Sequence, residues 1–260
     1  RRIRRLLPAL LVVLFVILIF SYFLFLPVEF KSYLDSVISS IFFYSNFYFH
    51  YSGQAYGQTI LSSKPLLHTW SLAVEEQFYI LYPIFLIFSI YLLKKNIKIL
   101  FYLIILFSLI FASYISENHP SFNFYMLFTR SWELMCGAVV ALHHLGERKR
   151  NYYNLLSYVG FFLIIFSFIF FDDPHQHPSF LTLIPVFGCC LIIIDKDSNS
   201  LIHKFLSHKW LVNIGLISYS LYLWHHPILS FGKISGITEE SIFFKILLIF
   251  LSFFLSALTY

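Results

Sequence analysis

Four groups of ionisable residues lie inside or at the ends of long apolar runs of this sequence. The first, LLHTWSLAVEEQFYILYP, sets His68 and Ser71 before two adjacent glutamates. At about 100° per helical residue, His68, Ser71 and Glu75 share one face that continues to Tyr79, whereas Glu76 points away. An imidazole and a carboxylate on one face could move a proton. The alternative is a helix start whose acidic residues only favour the positive end of the helix dipole.

A second group, FTRSWELMCG, places Arg130 and Glu133 three residues apart, so that the two side chains can pair on one helix. Because an ion pair is costly in lipid, we expect it to face the interior of a helix bundle. There it would either take part in chemistry or only hold helices together.

The third group, ISYSLYLWHHPI, has two adjacent histidines before a proline. Pro227 lacks a backbone N–H and disturbs the preceding turn, so we expect the imidazoles at a local opening. Because adjacent residues diverge by about 100° on a helix, we expect at most one of His225 and His226 to face the bundle.

The fourth group, RRIRRLLPAL, carries four arginines in five residues. Such a cluster anchors a membrane protein on anionic lipid head groups. Arginine also binds phosphates through paired hydrogen bonds, so a nucleotide-bearing donor such as a coenzyme A thioester could dock there. The residues alone leave both interpretations open.

The rest of the chain supplies the elements that must position these groups. Of 260 residues, 59% are hydrophobic and 12% are charged, a composition outside the range of soluble domains. Strands cannot cross a bilayer unless they close into a barrel, whereas an apolar helix of about 20 residues can. Eight runs have roughly this character: 6–26, 70–93, 97–116, 123–144, 151–171, 180–194, 213–231 and 241–260. The sequence therefore predicts an all-α, polytopic transmembrane helix bundle in one domain, residues 1–260, truncated at both ends.

Lysine and arginine set the expected orientation. Most of the 18 basic residues fall on one side of the membrane if segment 33–51 does not cross it. The positive-inside rule then puts the RRIRR end in the cytoplasm and makes 33–51 a re-entrant or interfacial segment on the outer face. Since the net charge of +5 comes from short clusters between apolar runs, no nucleic acid partner is expected. The three cysteines have neither CxxC nor metal-ligand spacing, so no metal site is expected.

The four groups together resemble, in order, the motifs of the acyltransferase 3 family. Its members are bacterial inner-membrane O-acyltransferases that modify lipopolysaccharide O-antigen, peptidoglycan and other surface polysaccharides. LLHTWSLAVEEQFYILYP is similar to the family signature, and RRIRRLLPAL resembles its Arg-x-x-Arg segment at Arg2 and Arg5. FTRSWELMCGA resembles its Arg-x-x-Glu motif, and ISYSLYLWHHPI its late Ser-Tyr-Ser-x-Tyr-Leu-x-His motif, which ends at His225.

The resemblance implies a multi-pass enzyme of the bacterial inner membrane. It would pass an acyl group, acetyl above all, from cytoplasmic acyl coenzyme A to a hydroxyl of an extracytoplasmic glycan. Acyl coenzyme A is then a donor substrate, and no permanently bound cofactor is implied. Other implied partners are membrane lipids, the glycan acceptor and a fused or separate extracytoplasmic SGNH domain. The family carries two helices before the arginine motif, one with a catalytic histidine, so we expect this fragment alone to be inactive.

The roles follow from the same resemblance. Arg2 and Arg5 would bind the donor phosphates. Glu75 would orient or charge-balance a histidine, and Arg130, oriented by Glu133, would stabilise negative charge. His225 is the first candidate for acid or base catalysis and His68 the second. We assign substrate contacts to Trp70, Ser71, Tyr79, Tyr219 and Tyr222.

Two other functional classes remain as alternatives. A proton-coupled transporter or flippase would use the buried charges to line a path for a proton or an anionic solute. Inverted repeats and broken paired helices, which mark such proteins, are not found in the sequence. A membrane scaffold would use the polar pairs only to fix helix packing. Neither alternative accounts for four motifs in order.

Overall fold

The computed structural model describes residues 2–53, 64–93, 97–144, 155–171, 177–195, 200–236 and 242–260. Within these ranges the chain is all-α, as predicted, and contains no β-strand. Its helices are α1 (Arg2–Leu24), α2 (Pro27–Ile41), α3 (Ser45–Ser52), α4 (Thr69–Leu93), α5 (Ile97–Ile115), α6 (Pro120–Tyr125), α7 (Leu127–His144), α8 (Leu156–Phe170), α9 (Leu183–Ile194), α10 (Leu201–Leu206), α11 (Lys209–Ile234) and α12 (Ile242–Leu258). A 3-10 turn, Phe180–Thr182, precedes α9.

Many large apolar side chains lie on the outside of the helices, and many small polar ones are buried. Phe107 and Phe168, for example, are 73% and 87% exposed, whereas Ser21, Ser39 and Ser256 are fully buried. Water does not tolerate an apolar surface of this extent, but lipid does, and small residues let helices approach closely within a bilayer. The chain is therefore a membrane protein.

Three helices in the described ranges are long and apolar enough to cross a membrane: Leu6–Leu24, Thr69–Tyr91 and Ile97–Ile115. Shorter apolar helices are Leu156–Phe170, Phe180–Ile194 and Ile242–Leu258. Every run predicted to span contains helix, although residues 151–154 and 241 lie outside the described ranges. How many of these helices cross the membrane stays a prediction.

Two predicted segments are divided in the structure. Run 123–144 is interrupted at Met126, whose extended backbone separates α6 from α7. Segment 33–51 consists of α2 and α3, joined by residues 42–44, where Phe43 has a φ of 54°. Since no single helix covers 33–51, a direct crossing by one helix is not what the structure shows. Its place at the outer membrane face stays a prediction.

The chain divides into two compact units. Unit 1 comprises Arg1–Val74 and Lys209–Tyr260, and unit 2 comprises Glu75–His208. In unit 1, α11 packs against α12 and α1. The buried face of α1 repeats every three to four residues through Leu10, Val13 and Ile17, which is the helical period of a core-facing stripe.

In unit 2, α8 and α9 pack with almost no space between their backbones. A Cβ atom added at Gly160 would lie 2.5 Å from the carbonyl oxygen of Gly188, and one added at Gly188 would lie 2.8 Å from the carbonyl oxygen of Gly160. Both distances are shorter than any van der Waals contact. The two glycines are thus what allows this close helix pair.

Replacing Gly160 by alanine should destabilise the protein by about 1–3 kcal/mol, because the new methyl group meets a backbone carbonyl that cannot move independently of α9. Thermal unfolding of the detergent-solubilised protein measures the loss. Gly137→Ala in α7 is the matched control, since nothing lies within 4 Å of a Cβ there. Equal melting temperatures for the two variants would contradict the proposed close contact.

Candidate active site

Three imidazoles meet in unit 1, where the turn before α4 contacts α11. The ring of His68 lies 5.6 Å from that of His225 and 5.0 Å from that of His226, measured between centroids. Tyr222, one turn earlier on α11, is 5.2 Å from His68. The side chain of His68 is buried. We call His68, His225 and His226 the histidine cluster.

Both adjacent histidines of α11 contact His68, so the expectation that at most one faces the bundle is wrong. His68 belongs to a turn at residues 65–68 and not to α4 itself. The direction of its ring is therefore not set by helix geometry. The ring plane lies at 24° to that of His226, on which it stacks, and at 72° to that of His225, which it meets edge-on. One ring thus contacts two side chains that diverge on their own helix.

Pro227 does not break α11, which continues from Lys209 to Ile234. The disturbance expected from the proline is limited to one missing donor, the N–H that would otherwise bond the carbonyl of Leu223 four residues earlier. That carbonyl approaches the ring of His68. The carbonyl of Pro65 approaches the same ring. Neither contact has the geometry of a hydrogen bond, and the two ring nitrogens of His68 bond to no described residue.

Hydrogen bonds fix which nitrogen carries the proton on the other two rings. A carbonyl oxygen only accepts, so Nδ1 of His226 donates to Pro65, 3.1 Å away. By the same reasoning Nδ1 of His225 donates to the carbonyl of Leu221, at 3.2 Å. In the neutral rings Nε2 is then the basic nitrogen. The two imidazoles therefore have defined tautomers.

Tyr222 fixes the turn that carries His68. Its hydroxyl donates to the backbone oxygen of His68 at 2.5 Å and lies 2.5 Å from Oγ of Ser71. Because a tyrosine hydroxyl has one proton, Ser71 is the donor in the second bond. Both residues, assigned to substrate contacts from the sequence, thus have their hydroxyls in a bridge between α11 and the start of α4.

The same turn is held from its other side by α2 and α3. Oγ1 of Thr69 donates to the carbonyl of Leu66 at 2.8 Å and lies 2.8 Å from Oγ of Ser40. Ser45 donates from Oγ to the carbonyl of Thr69 at 2.9 Å. These serines were not predictable from the sequence, because hydroxyls that bond to distant backbone leave no periodic signal.

A cavity of about 340 Å³ lies beside the histidine cluster, between α11 and α12. Its lining is largely apolar, with His225 and Tyr222 among its walls. The lining residues are Ser218, Leu221, Tyr222, His225, Leu229, Ile249, Ser252 and Phe253. A small organic group in this space would be in contact with a histidine of known tautomer.

Arg130 and Glu133 pair as predicted, with 3.3 Å between Nη1 and Oε2. Arg130 also donates from Nε to the carbonyl of Phe124 at 2.8 Å, and its guanidinium lies 5.1 Å from the centre of that ring. The arginine thereby bridges the break between α6 and α7. Oε1 of Glu133 is buried and bonds to no described residue. A structural role and a chemical role for this pair both remain open.

The other predicted residues are placed as follows. Glu75 and Trp70 are half-buried on α4, and Tyr79 is 39% exposed. Tyr219 donates its hydroxyl to the carbonyl of Leu6 at 3.2 Å, which ties α11 to the helix that begins in the arginine motif.

The side chains of Arg2 and Arg5 lie outside those described. Because Glu75, Arg130 and Glu133 belong to unit 2, their gathering with His225 stays a prediction.

His226 is the residue that the sequence analysis left out of the site. The pair of adjacent histidines was the available signal, and the helical angle between them was the reason for excluding one. Within the described ranges no group of three histidine, cysteine, aspartate or glutamate side chains is placed to hold a metal ion.

The chain is similar to known proteins along its whole length. All residues, 1–260, match the model of the acyltransferase domain called acyltransferase 3. The peptidoglycan O-acetyltransferase OatA of Listeria monocytogenes is 30% identical and aligns with 100% of this chain and 44% of its own length. The O-acetyltransferase OatA of Staphylococcus aureus is 30% identical over 89% of this chain and 40% of its own length.

The chain spans less than half the length of these curated relatives. No solved structure gives a significant match. Since the family model covers the whole sequence, the chain belongs to the acyltransferase 3 family, and the resemblance of its motifs is confirmed.

Proposed function

We propose that the protein is an O-acetyltransferase of the bacterial inner membrane, which moves an acetyl group from cytoplasmic acetyl coenzyme A to a hydroxyl of a cell-wall polysaccharide. The family supports acyl transfer, and the relatives named as peptidoglycan O-acetyltransferases support this acceptor over lipopolysaccharide. The observation that carries the proposal is the histidine cluster beside a cavity, with His225 in the cavity wall.

His225 is the general base of this proposal. Its Nδ1 is held by the carbonyl of Leu221, which leaves Nε2 to take the proton of the acceptor hydroxyl. The hydroxyl oxygen forms a bond to the thioester carbon, the carbon–sulfur bond breaks, and the imidazolium returns the proton to the leaving thiolate. Since that cavity wall is mainly apolar, water competes poorly with the acceptor.

His68 supplies a second imidazole that stays neutral. Burial lowers the pKa of His68 well below its ordinary value of 6.5, and the rings of His226 and His225 lower it further. The carbonyls of Pro65 and Leu223 oppose this lowering but do not cancel it. At neutral pH, His68 is therefore uncharged and does not repel a protonated His225.

The charged groups of the other motifs complete the proposal. Arg2 and Arg5 bind the donor phosphates at the cytoplasmic edge, where a paired hydrogen bond from guanidinium matches phosphate geometry. Arg130, oriented by Glu133 at 3.3 Å, has the role of stabilising negative charge in this proposal. Glu75 lies one helical turn after Ser71 on α4 and orients a histidine.

Replacing His225 by asparagine should lower the rate of acetyl transfer by about a hundredfold or more, because the amide can still donate to Leu221 but has no atom in the place of Nε2. The assay uses membranes with the full-length protein, radiolabelled acetyl coenzyme A and the base-labile acetate recovered from purified cell wall. His208→Asn, at an exposed position, is the control. No transfer by the wild-type protein, with intact folding, would refute the proposed function.

Replacing Glu75 by glutamine in the full-length protein should abolish acetylation and leave the fold intact, since the amide is nearly isosteric but carries no charge. The same cell-wall assay measures the activity, and size-exclusion chromatography in detergent checks the fold. Glu76→Gln is the matched neighbour and should remain active. Unchanged acetylation by Glu75→Gln would remove Glu75 from the mechanism.

Acid should destabilise the folded protein through His68. The unfolded chain takes up a proton on this residue near its ordinary pKa of 6.5, whereas the buried ring resists it, so stability falls as the pH drops below that value. The melting temperature, followed from about pH 7.5 to about pH 5, should fall less in His68→Gln than in the wild type. His208→Gln should behave like the wild type. An identical acid response in His68→Gln would show that His68 is not held neutral.

A further inference from the structure

We propose that His226 is a positioning residue, whose hydrogen bond to the turn at 65–68 holds the ring of His68 in the histidine cluster. This inference rests on the proposed acetyl transfer, because it assigns His226 a task within that site. It names a residue to which the sequence analysis assigned no role.

His226 contacts the turn at residues 65–68, which carries His68, at two points. Its Nδ1 donates to the carbonyl of Pro65 at 3.1 Å, three residues before His68 in the same turn. Its ring also stacks on that of His68, with 5.0 Å between centroids and 24° between planes. One side chain therefore fixes both the backbone of the turn and the plane of the imidazole.

His225 does not duplicate this task. Its Nδ1 donates to Leu221, which belongs to its own helix, and its ring meets His68 only edge-on. Tyr222 does hold the turn, through the backbone oxygen of His68, but it contacts the ring edge-on as well. Among these neighbours on α11, the face-to-face contact with His68 comes from His226 alone.

The need for such a contact follows from the state of His68. Both of its ring nitrogens are buried and bond to no described residue, so no hydrogen bond of its own sets the angle of the ring. As far as the described residues are concerned, packing limits the rotation about its side-chain bonds. Loss of the His226 bond would free the Pro65 end of the turn, although Tyr222 still holds the backbone oxygen of His68, and the ring of His68 could then shift. Reacting groups displaced by a fraction of an ångström lose rate steeply.

Two substitutions distinguish loss of the hydrogen bond between His226 and Pro65 from loss of the His226 ring. In His226→Asn the amide nitrogen takes the place of Nδ1 and can still donate to Pro65, although the ring is lost. In His226→Phe the stacked ring remains and the donor is lost. We expect the turnover number of His226→Phe to fall about tenfold to a hundredfold with an unchanged KM for acetyl coenzyme A. His226→Asn should recover most of that loss.

The full-length protein in membranes is assayed by transfer of radiolabelled acetyl groups to cell wall, with His208→Asn as an exposed control. Wild-type turnover by His226→Phe would overturn the inference and leave the proposed function standing. A His226→Asn variant as slow as His226→Phe would also overturn it, since restoring the hydrogen-bond donor to Pro65 would then not restore the rate.

A second measurement keeps the inference testable if no transfer occurs at all. In the detergent-solubilised protein with ¹⁵N-labelled histidine, the nitrogen chemical shifts report the tautomer of each ring. We expect a protonated Nδ1 on His226 in the wild type and a change in the His68 signals in His226→Phe. Unchanged His68 signals in His226→Phe would refute the positioning role, whereas an inactive wild type with the expected shifts would refute only the proposed acetyl transfer.

Discussion

The docking of the turn at 65–68 onto α11 is the interaction on which the rest of the candidate site depends. Two carbonyl oxygens of this turn accept hydrogen bonds from α11, that of His68 from Tyr222 and that of Pro65 from His226. A turn has backbone carbonyls that its own residues do not satisfy, and leaving them unpaired inside a membrane protein is costly. The same bonds that satisfy the backbone bring His68 against the histidines of α11.

Lipid as the surrounding solvent explains why serine and threonine do so much of the packing. Large apolar side chains are about as favourable in lipid as in the protein interior, so their burial contributes little to folding. The close approach of the helices decides the fold instead. Small hydroxyls such as those of Ser40, Ser45 and Thr69 fit between helices and bond to neighbouring backbone. The turn before α4 is consequently held between α2, α3 and α11.

The helices were predictable because their cause is local. Each apolar run is long enough to require internal hydrogen bonding in lipid, and that requirement alone makes it a helix. The break at Met126 and the bend at Phe43 were not predictable in this way, because apolar residues continue through both and only the backbone geometry changes. Motif order identified the family for a different reason, namely that chemistry restricts residue type more tightly than packing does.

The site was predicted in part for similar reasons. The i,i+3 geometry of a single helix was enough to pair Arg130 with Glu133, since both ends of the contact lie on α7. The contacts of His68 with His225 and His226 join residues more than 150 positions apart, and no spacing rule reaches that far. The expectation for His226 failed because it considered only the angle between the two adjacent histidines on α11, whereas His68, a turn residue, places its ring against both.

The paired glycines of α8 and α9 limit how this part of the sequence can diverge. A side chain at position 160 meets the backbone oxygen of 188, and the reverse holds as well, so no change at one position makes room for a change at the other. Glycine is already the smallest residue, so no smaller residue at one of the two positions can compensate for a larger one at the other. Only a wider separation of the two helix axes would admit another residue, and it would also pull apart the side chains of Leu191 and Ile164 that pack against the two glycines.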